Sequence, residues 1–572
     1  MSCILINTYR DNSQLFVDGQ CVMSKEGTTQ GDPLAMAMYA IGTQPLIRKL
    51  DGITKQVWYA DDSAAGSTLQ QLRRWWDILN EIGPHYGYFP NGVKTHVLVK
   101  KEHVDTANEI FRDTAMTISV DGERYLGGAM GTASFIQKYV QRKVEEWVKE
   151  VLQLSKIAET QPHTAYAAFT HGLASKWNYL LRVTDWEALS PSEILKPLES
   201  AIQSQFIPTI TGQPPPGGLV REMLALPVRH GGLGLMNPIA SAKEQRNNSQ
   251  LICTPLIHQI QHQNHNFGQC QEAQQTIKAQ LRSSKRIRQN EEAKRVRDQL
   301  PIHLQRSLEL SQEKGASTWL TSLPIEDYGF ALHKAAFKDA LSLRYGWPIL
   351  NPPSHCTCSQ PFSIEHALNC KTGGFTAIRH NEVRDITASL LSEVCHGVTD
   401  EPHLQPLSGE SISRSSAINE DGACLDVAVY GFWGGRFEKA FMDVRVFNPS
   451  AQSNRRGPLA SVYRRHELEK KRQYDQRVRE VECATFTPLV MSVTGGMGKS
   501  ATTFCKRLAS MISEKRDTPY SQTINWIRCK LSFALLRSSI MSIRGARSSR
   551  HHPMYEANQG PIDLQLAEGQ IH

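Results

Sequence analysis

The sequence predicts an α+β protein of several domains, and three observations carry that prediction. At 572 residues the chain exceeds what one hydrophobic core organises, so three or four globular units are expected. Apolar residues follow strand-like spacing near the start, helical spacing through the middle and a mixed pattern again after residue 375. A Pro/Gly run at Gln213-Pro214-Pro215-Pro216-Gly217-Gly218, a basic connector and a close Cys/His group punctuate the chain.

In order, Leu15-Phe16-Val17 and Cys21-Val22-Met23 flank Asp18-Gly19 and predict a β-hairpin. A helix is expected over about 32–49, where Leu34, Met38, Ile41 and Leu46 recur behind Pro33. Val57-Trp58-Tyr59-Ala60-Asp61-Asp62-Ser63-Ala64-Ala65 reads as an apolar strand interrupted by two acids, followed by a helix over 67–82. Residues 86–100 and 114–127 read as strands, so the first third is a small α+β unit. From about 134 to 212 the pattern is helical, with Tyr139, Val140, Val144, Trp147 and Val151 forming an apolar stripe. A Gln-rich, then basic, connector covers about 258–315, and an α/β pattern resumes over 375–550.

Composition narrows the class of protein. Hydrophobic residues at 40% and charged residues at 21% fit folded domains rather than disorder. No apolar run approaches the roughly 20 residues of a membrane-spanning helix, and the start, MSCILINTYRDNSQLF, lacks the pattern of a secretory signal. The expectation is an intracellular protein, nuclear and cytoplasmic, with no membrane partner. Twelve cysteines then point to metal binding rather than disulfides.

Lys and Arg number 64 against 56 Asp and Glu, a net charge of +8 that suits a polyanionic partner. The excess is concentrated in Lys278, Arg282, Lys285, Arg286, Arg288, Lys294, Arg295 and Arg297, and again in Arg464, Arg465, Lys470, Lys471, Arg472, Arg477 and Arg479. Each cluster is either a nucleic-acid contact or a solvated helix face.

Two adjacent carboxylates between apolar strands, Asp61 and Asp62, suit a divalent-cation site, and phosphoryl transfer uses such carboxylate cages. Tyr59-Ala60-Asp61-Asp62 resembles the metal-binding hairpin of reverse transcriptases from LINE-like, non-LTR retrotransposons. Glu26-Gly27-Thr28-Thr29-Gln30-Gly31-Asp32-Pro33-Leu34 resembles the block of that family that meets template and incoming nucleotide. Gly87-Tyr88-Phe89-Pro90-Asn91-Gly92-Val93-Lys94 is similar to the next palm motif, and Glu123-Arg124-Tyr125-Leu126-Gly127-Gly128 to the primer-grip hairpin. The resemblance implies Asp61 and Asp62 as catalytic ligands of Mg²⁺ or Mn²⁺, and Gln30, Gly31 and Lys94 as substrate-binding residues. It also implies an earlier palm aspartate, for which no candidate precedes Asp11, so an incomplete polymerase centre is expected.

Cys356-Thr357-Cys358, seven residues, His366, three residues and Cys370 form a set of four ligands at zinc-knuckle spacing. Cys395 and Cys424 read as ordinary core residues. Further on, Leu425-Asp426-Val427 and Phe441-Met442-Asp443-Val444-Arg445-Val446 place two acids on apolar strands. They either share a metal that activates water or face solvent and pair with Arg445. The knuckle, Arg379-His380-Asn381 and this acid pair resemble the restriction-like endonuclease region of site-specific non-LTR retrotransposons. That resemblance implies nucleic-acid contacts from the knuckle and substrate contacts from Arg379 and His380. Asp426 and Asp443 become Mg²⁺ ligands and catalytic residues; Arg445 stands where that family has a lysine, so Lys470 or Lys471 is expected to serve instead. Thr494-Gly495-Gly496-Met497-Gly498-Lys499-Ser500 ends like a phosphate loop but has Val493 where the first glycine belongs, so it reads as a strand-to-helix turn.

The resemblance divides the chain into a partial palm (1–132), a helical thumb (133–257), a basic helical connector (258–348), the zinc knuckle (349–372), a restriction-endonuclease-like region (373–550) and a tail (551–572). It implies an RNA-directed DNA polymerase fragment with a metal-dependent DNA endonuclease. The expected partners are template RNA, target DNA and, if the palm is completed, deoxynucleoside triphosphates. Alternatives are an inactive nucleic-acid-binding remnant and a nuclease acting without a polymerase.

Overall fold

A computed structural model describes residues 10–24, 32, 34–264, 266–410, 412 and 414–545. The described chain is mixed α and β with small sheets, and it divides into two compact units. The first unit contains the described residues up to Val140 together with 182–189 and 246–281. The second contains 141–181, 190–245 and the described residues from 282 onward. The tail read at 551–572 lies outside the described residues.

In the first unit, β1 (Ser13–Val17) and β2 (Gln20–Ser24) pair antiparallel with Val17 opposite Gln20. The two turn residues, Asp18 and Gly19, have φ of 51° and 77°, the left-handed pair that a type I′ hairpin requires. After α1 (Ala35–Lys49), β3 (Lys55–Tyr59) and β4 (Asp62–Gly66) form a second two-residue hairpin. Helix α2 (Leu69–Ile82) starts at the Thr68 cap and buries Trp75, Trp76 and Leu79. Gln56 fastens the second hairpin. Its side-chain oxygen accepts the indole N–H of Trp58 and of Trp75, each at 3.1 Å, and its amide nitrogen donates to the Ile47 carbonyl and Asp51. A buried amide so fully satisfied leaves the hairpin one orientation against α1 and α2.

The strand expected over 86–100 shrinks to β5 (His96–Leu98), which pairs parallel with β6 (Thr117–Ser119). Gly83–Tyr86 and Gly92–Lys94 instead form short 3₁₀ turns, because Pro84 and Pro90 withhold ladder donors. β7 (Gly122–Tyr125) and β8 (Gly128–Gly131) close the third hairpin, and the stripe on α3 (Ala133–Ala158) is buried as its spacing predicts. Helix α4 (Pro238–His262) runs into the connector, whose longest helix is α5 (Phe267–Gln299).

The second unit adds α6 (Ile302–Ser311), α7 (Lys334–Tyr345), α8 (Ile364–Asn369) and α9 (Phe375–Ser392). These precede a sheet of β9 (His396–Asp400), β10 (Val427–Tyr430), β11 (Lys439–Phe447) and β12 (Thr485–Ser492), in the order β12-β11-β10-β9. β11 and β12 run parallel and the other pairs antiparallel. Helices α10 (Leu459–Glu480), α11 (Lys499–Arg516) and α12 (Tyr520–Arg544) complete the unit. α10 and α11 pack on β12, and α9 packs on β11 and on α12.

Charge inside this unit is used structurally. Arg477, read as part of a basic patch, is fully buried and donates to the carbonyls of Gln405, Ile418 and Glu420 at 2.9, 3.2 and 2.9 Å. The Gly-Lys-Ser segment is a turn between β12 and α11, as expected. Its helix N-terminus is filled by the Glu467 carboxylate, which accepts the Ser500 N–H at 2.8 Å. A Cβ on Gly498 would lie 2.5 Å from that carboxylate, so glycine here admits the cap rather than a phosphate.

Glu313 lies against Tyr463, whose hydroxyl donates to it at 3.2 Å. Burial raises the Glu313 pKa to about 7. The folded state therefore loses stability as pH rises from the ordinary carboxyl pKa to about 7, because the unfolded chain ionises first. Glu313→Gln should stabilise the protein by about 1–2 kcal/mol at pH 8 and do little at pH 4.5, measured as the pH dependence of Tm for the two proteins.

Candidate active site

Strand β11 is buried along most of its length, as expected for a central strand with a parallel neighbour. Asp443 stands in the middle of it, only 4% exposed. An isolated carboxylate there would be costly, and the chain supplies a cation. Lys470, from α10, places its ammonium 2.7 Å from Asp443 Oδ2 and 5.4 Å from the centre of the Tyr474 ring. Asp426 immediately precedes β10, whose Val427 is paired with Met442, so the antiparallel register brings the two acids to neighbouring strands. Asp426 Oδ1 accepts from His380 Nε2 at 2.8 Å, and Oδ2 accepts the Val444 N–H at 2.5 Å. His380 comes from α9. Residues from two strands and two helices thus converge.

The electrostatics follow from this convergence. Burial raises the Asp443 pKa, the neighbouring Asp426 adds to that rise, and Lys470 opposes it. The Asp426 carboxylate raises the His380 pKa by binding its ring N–H. Two acids close enough to repel are thus gathered around one ammonium, which Lys470 holds against Asp443. Arg445 takes no part in this, since it pairs with Glu469 at 3.2 Å.

The helix phase of α10 separates the two lysines that sequence left equivalent. Lys470 meets Asp443, whereas Lys471 is exposed and makes no ion pair among the described residues. Arg379 needs a correction. It is 3% exposed, its Nη2 donates to the Leu368 carbonyl at 3.0 Å, and burial lowers its pKa to about 10. A guanidinium inside the protein cannot meet a substrate. Tyr474 and the Val444 N–H were missed by sequence reasoning; the aromatic four residues after Lys470 was the available signal, being on the same helix face.

Cys356, Cys358, His366 and Cys370 come together, their ligand atoms all within 4.8 Å of one another. The Ser363 side chain caps α8 by accepting the His366 N–H at 3.1 Å, which sets His366 in the first turn and Cys370 just past the helix. Cys358 Sγ lies 3.0 Å from His366 Nε2. Tetrahedral zinc asks for ligand atoms roughly 3.5–4 Å apart, so the Cys358–His366 pair would open slightly and the widest pairs close slightly. This group can hold a metal ion. Cys395 is buried, as expected of a core cysteine, and burial raises its pKa to about 11; Cys424 is partly buried.

In the first unit, Ala60 and Asp61 are the turn of the β3–β4 hairpin, with Ala60 at φ 54° and Asp62 paired to Tyr59. Both acids are exposed, and neither makes an ion pair among the described residues. Tyr88 ties the turn down by donating to the Asp61 carbonyl at 3.0 Å. Lys94 is exposed, its backbone N–H held by Asn91. Gln30 and Gly31 lie outside the described residues.

The Asp443–Lys470 pair yields a test that needs no substrate. Lys470→Met leaves a buried carboxylate uncompensated and should cost about 3 kcal/mol, read from urea unfolding at neutral pH. Adding Asp443→Asn should recover most of it, and Lys471→Met alone should change almost nothing.

No protein-family model matches this sequence, and no curated protein matches it at a significant level.

Proposed function

We propose that the chain is a divalent-metal-dependent DNA endonuclease joined to reverse-transcriptase palm motifs, as in non-LTR retrotransposons. The observation that carries the nuclease reading is the meeting of His380, Asp426, Asp443 and Lys470, which are remote in sequence, around two strand carboxylates. Asp426 and Asp443 are the residues that would hold Mg²⁺ or Mn²⁺. Such an ion lowers the pKa of bound water and offsets phosphate charge. His380 and the Val444 N–H fix the Asp426 carboxylate, and Lys470 holds a positive charge beside Asp443 that would be available to a substrate phosphate. Exposed Arg455 and Arg456 just before α10, and Arg464, Lys471 and Arg472 on it, would supply phosphate contacts.

Cys356, Cys358, His366 and Cys370 would hold zinc as a structural ion, since four protein ligands leave no open position. The polymerase reading rests on Asp61 and Asp62 at a hairpin tip with Lys94 downstream, a surface suited to RNA template and nucleoside triphosphate. A second reading, an inactive nucleic-acid-binding remnant, is favoured by one observation. The carboxylate atoms that would take a cation already meet Lys470, His380 and a main-chain N–H.

Plasmid nicking with Mg²⁺ decides between the two. Wild type should nick, Asp426→Ala and Asp443→Ala should lose at least about a hundredfold in rate, and all three should bind DNA with the same steep salt dependence. Equal nicking by all three proteins, or binding without nicking by wild type, defeats the nuclease reading. For the Cys/His group, elemental analysis should find one zinc per chain, lost in Cys356→Ser. Zinc unaffected by that substitution would remove the assignment.

A further inference from the structure

We infer that Arg379 is the buried counter-charge of the metal–thiolate group at Cys356, Cys358, His366 and Cys370, and that through it the metal fixes the turn of α9 carrying His380. This rests on the zinc reading of those four residues.

Arg379 is 3% exposed, yet two of its three guanidinium nitrogens, Nε and Nη1, have no hydrogen-bond partner. No carboxylate pairs with it among the described residues, and its one bond goes to the Leu368 carbonyl. A charge buried with so little compensation is expensive, so its partner should be something other than a neighbouring acid. Leu368 lies between His366 and Cys370, inside the ligand loop. A divalent ion held by three thiolates and a neutral imidazole carries one net negative charge, which a single guanidinium balances. Through the Leu368 carbonyl the guanidinium grips the ligand loop itself, and such outer contacts orient ligands and tune affinity.

The link to α9 is covalent and short. His380 follows Arg379 and donates to Asp426 at 2.8 Å. The ligand loop is also packed in place, because Ala367 and Leu368 share an apolar cluster with Ile349, Val493 and Ile543, against which Val446 of β11 rests. In this arrangement metal binding bears on the turn of α9 that presents His380.

The test uses the full chain and zinc affinity measured by competition with a chromophoric chelator. Arg379→Met, which keeps the size and removes the charge, should weaken zinc binding about tenfold or more. Arg379→Lys should stay within a few-fold of wild type. Equal affinity in Arg379→Met and wild type overturns the inference while leaving the zinc site standing; equal losses in the Met and Lys variants overturn it in favour of packing. Wild type that binds no zinc removes the zinc reading itself and the inference with it. Should Arg379→Met fail to fold, hydrogen exchange on wild type serves instead. Zinc should protect amides over 375–384 and leave 499–516 unchanged, and no difference over 375–384 overturns the inference.

Discussion

A carboxylate in the middle of an inner strand governs the second unit. Asp443 sits where a strand of this kind would ordinarily carry Val or Ile, and the fold answers with groups from two directions. Helix α10 brings Lys470, and the β10–β11 register brings Asp426, itself held by His380 and the Val444 N–H. None of these contacts is local in sequence. The packing of α9 and α10 on the sheet is therefore tied to charge balance as well as to apolar burial, and a shift of either helix would leave a charge stranded in the interior.

The same logic separates surface cations from internal ones. Pairs along α5 such as Arg295–Glu222, at 2.5 Å but about half exposed on both sides, contribute little to stability. Arg477, Arg379 and Lys470 are the opposite case, because each is withdrawn from water and each meets backbone carbonyls or a carboxylate at short range. The bidentate Arg221–Glu199 pair, at 2.7 and 2.9 Å and buried on both sides, belongs with them.

Sequence showed best what depends on adjacent residues. Asp18-Gly19 announces its hairpin because few dipeptides adopt two left-handed conformations at so little cost, and the four metal-ligand residues announce themselves by type and spacing. Asp426 and Asp443 stood out as acids in apolar strands. What sequence could not show is phase and depth. Lys470 and Lys471 differ by one residue, about 100° of helix rotation, and only the packing of α10 says which faces the sheet. Arg379 and Arg477 looked like surface charges because Arg is rarely buried without a partner, and their carbonyl acceptors lie on segments that no local pattern connects to them. Residues 86–100 alternate like a strand, but Pro84 and Pro90 break the ladder. Nor could it show that residues 182–189 and 246–281 return to the first unit from far downstream.

Arg477 has a consequence for how the protein tolerates change. Its guanidinium holds the chain at Gln405 on one side and at Ile418 and Glu420 on the other, so both ends of the intervening excursion are pinned to α10 independently of what lies between them. Loop-closure entropy rises only slowly with length, and residues 409 and 410 at the far side of that excursion are exposed. Ser408, Gly409 and Glu410 are thus a natural place for an inserted tag or reporter domain, without disturbing the approach of the chain to Asp426.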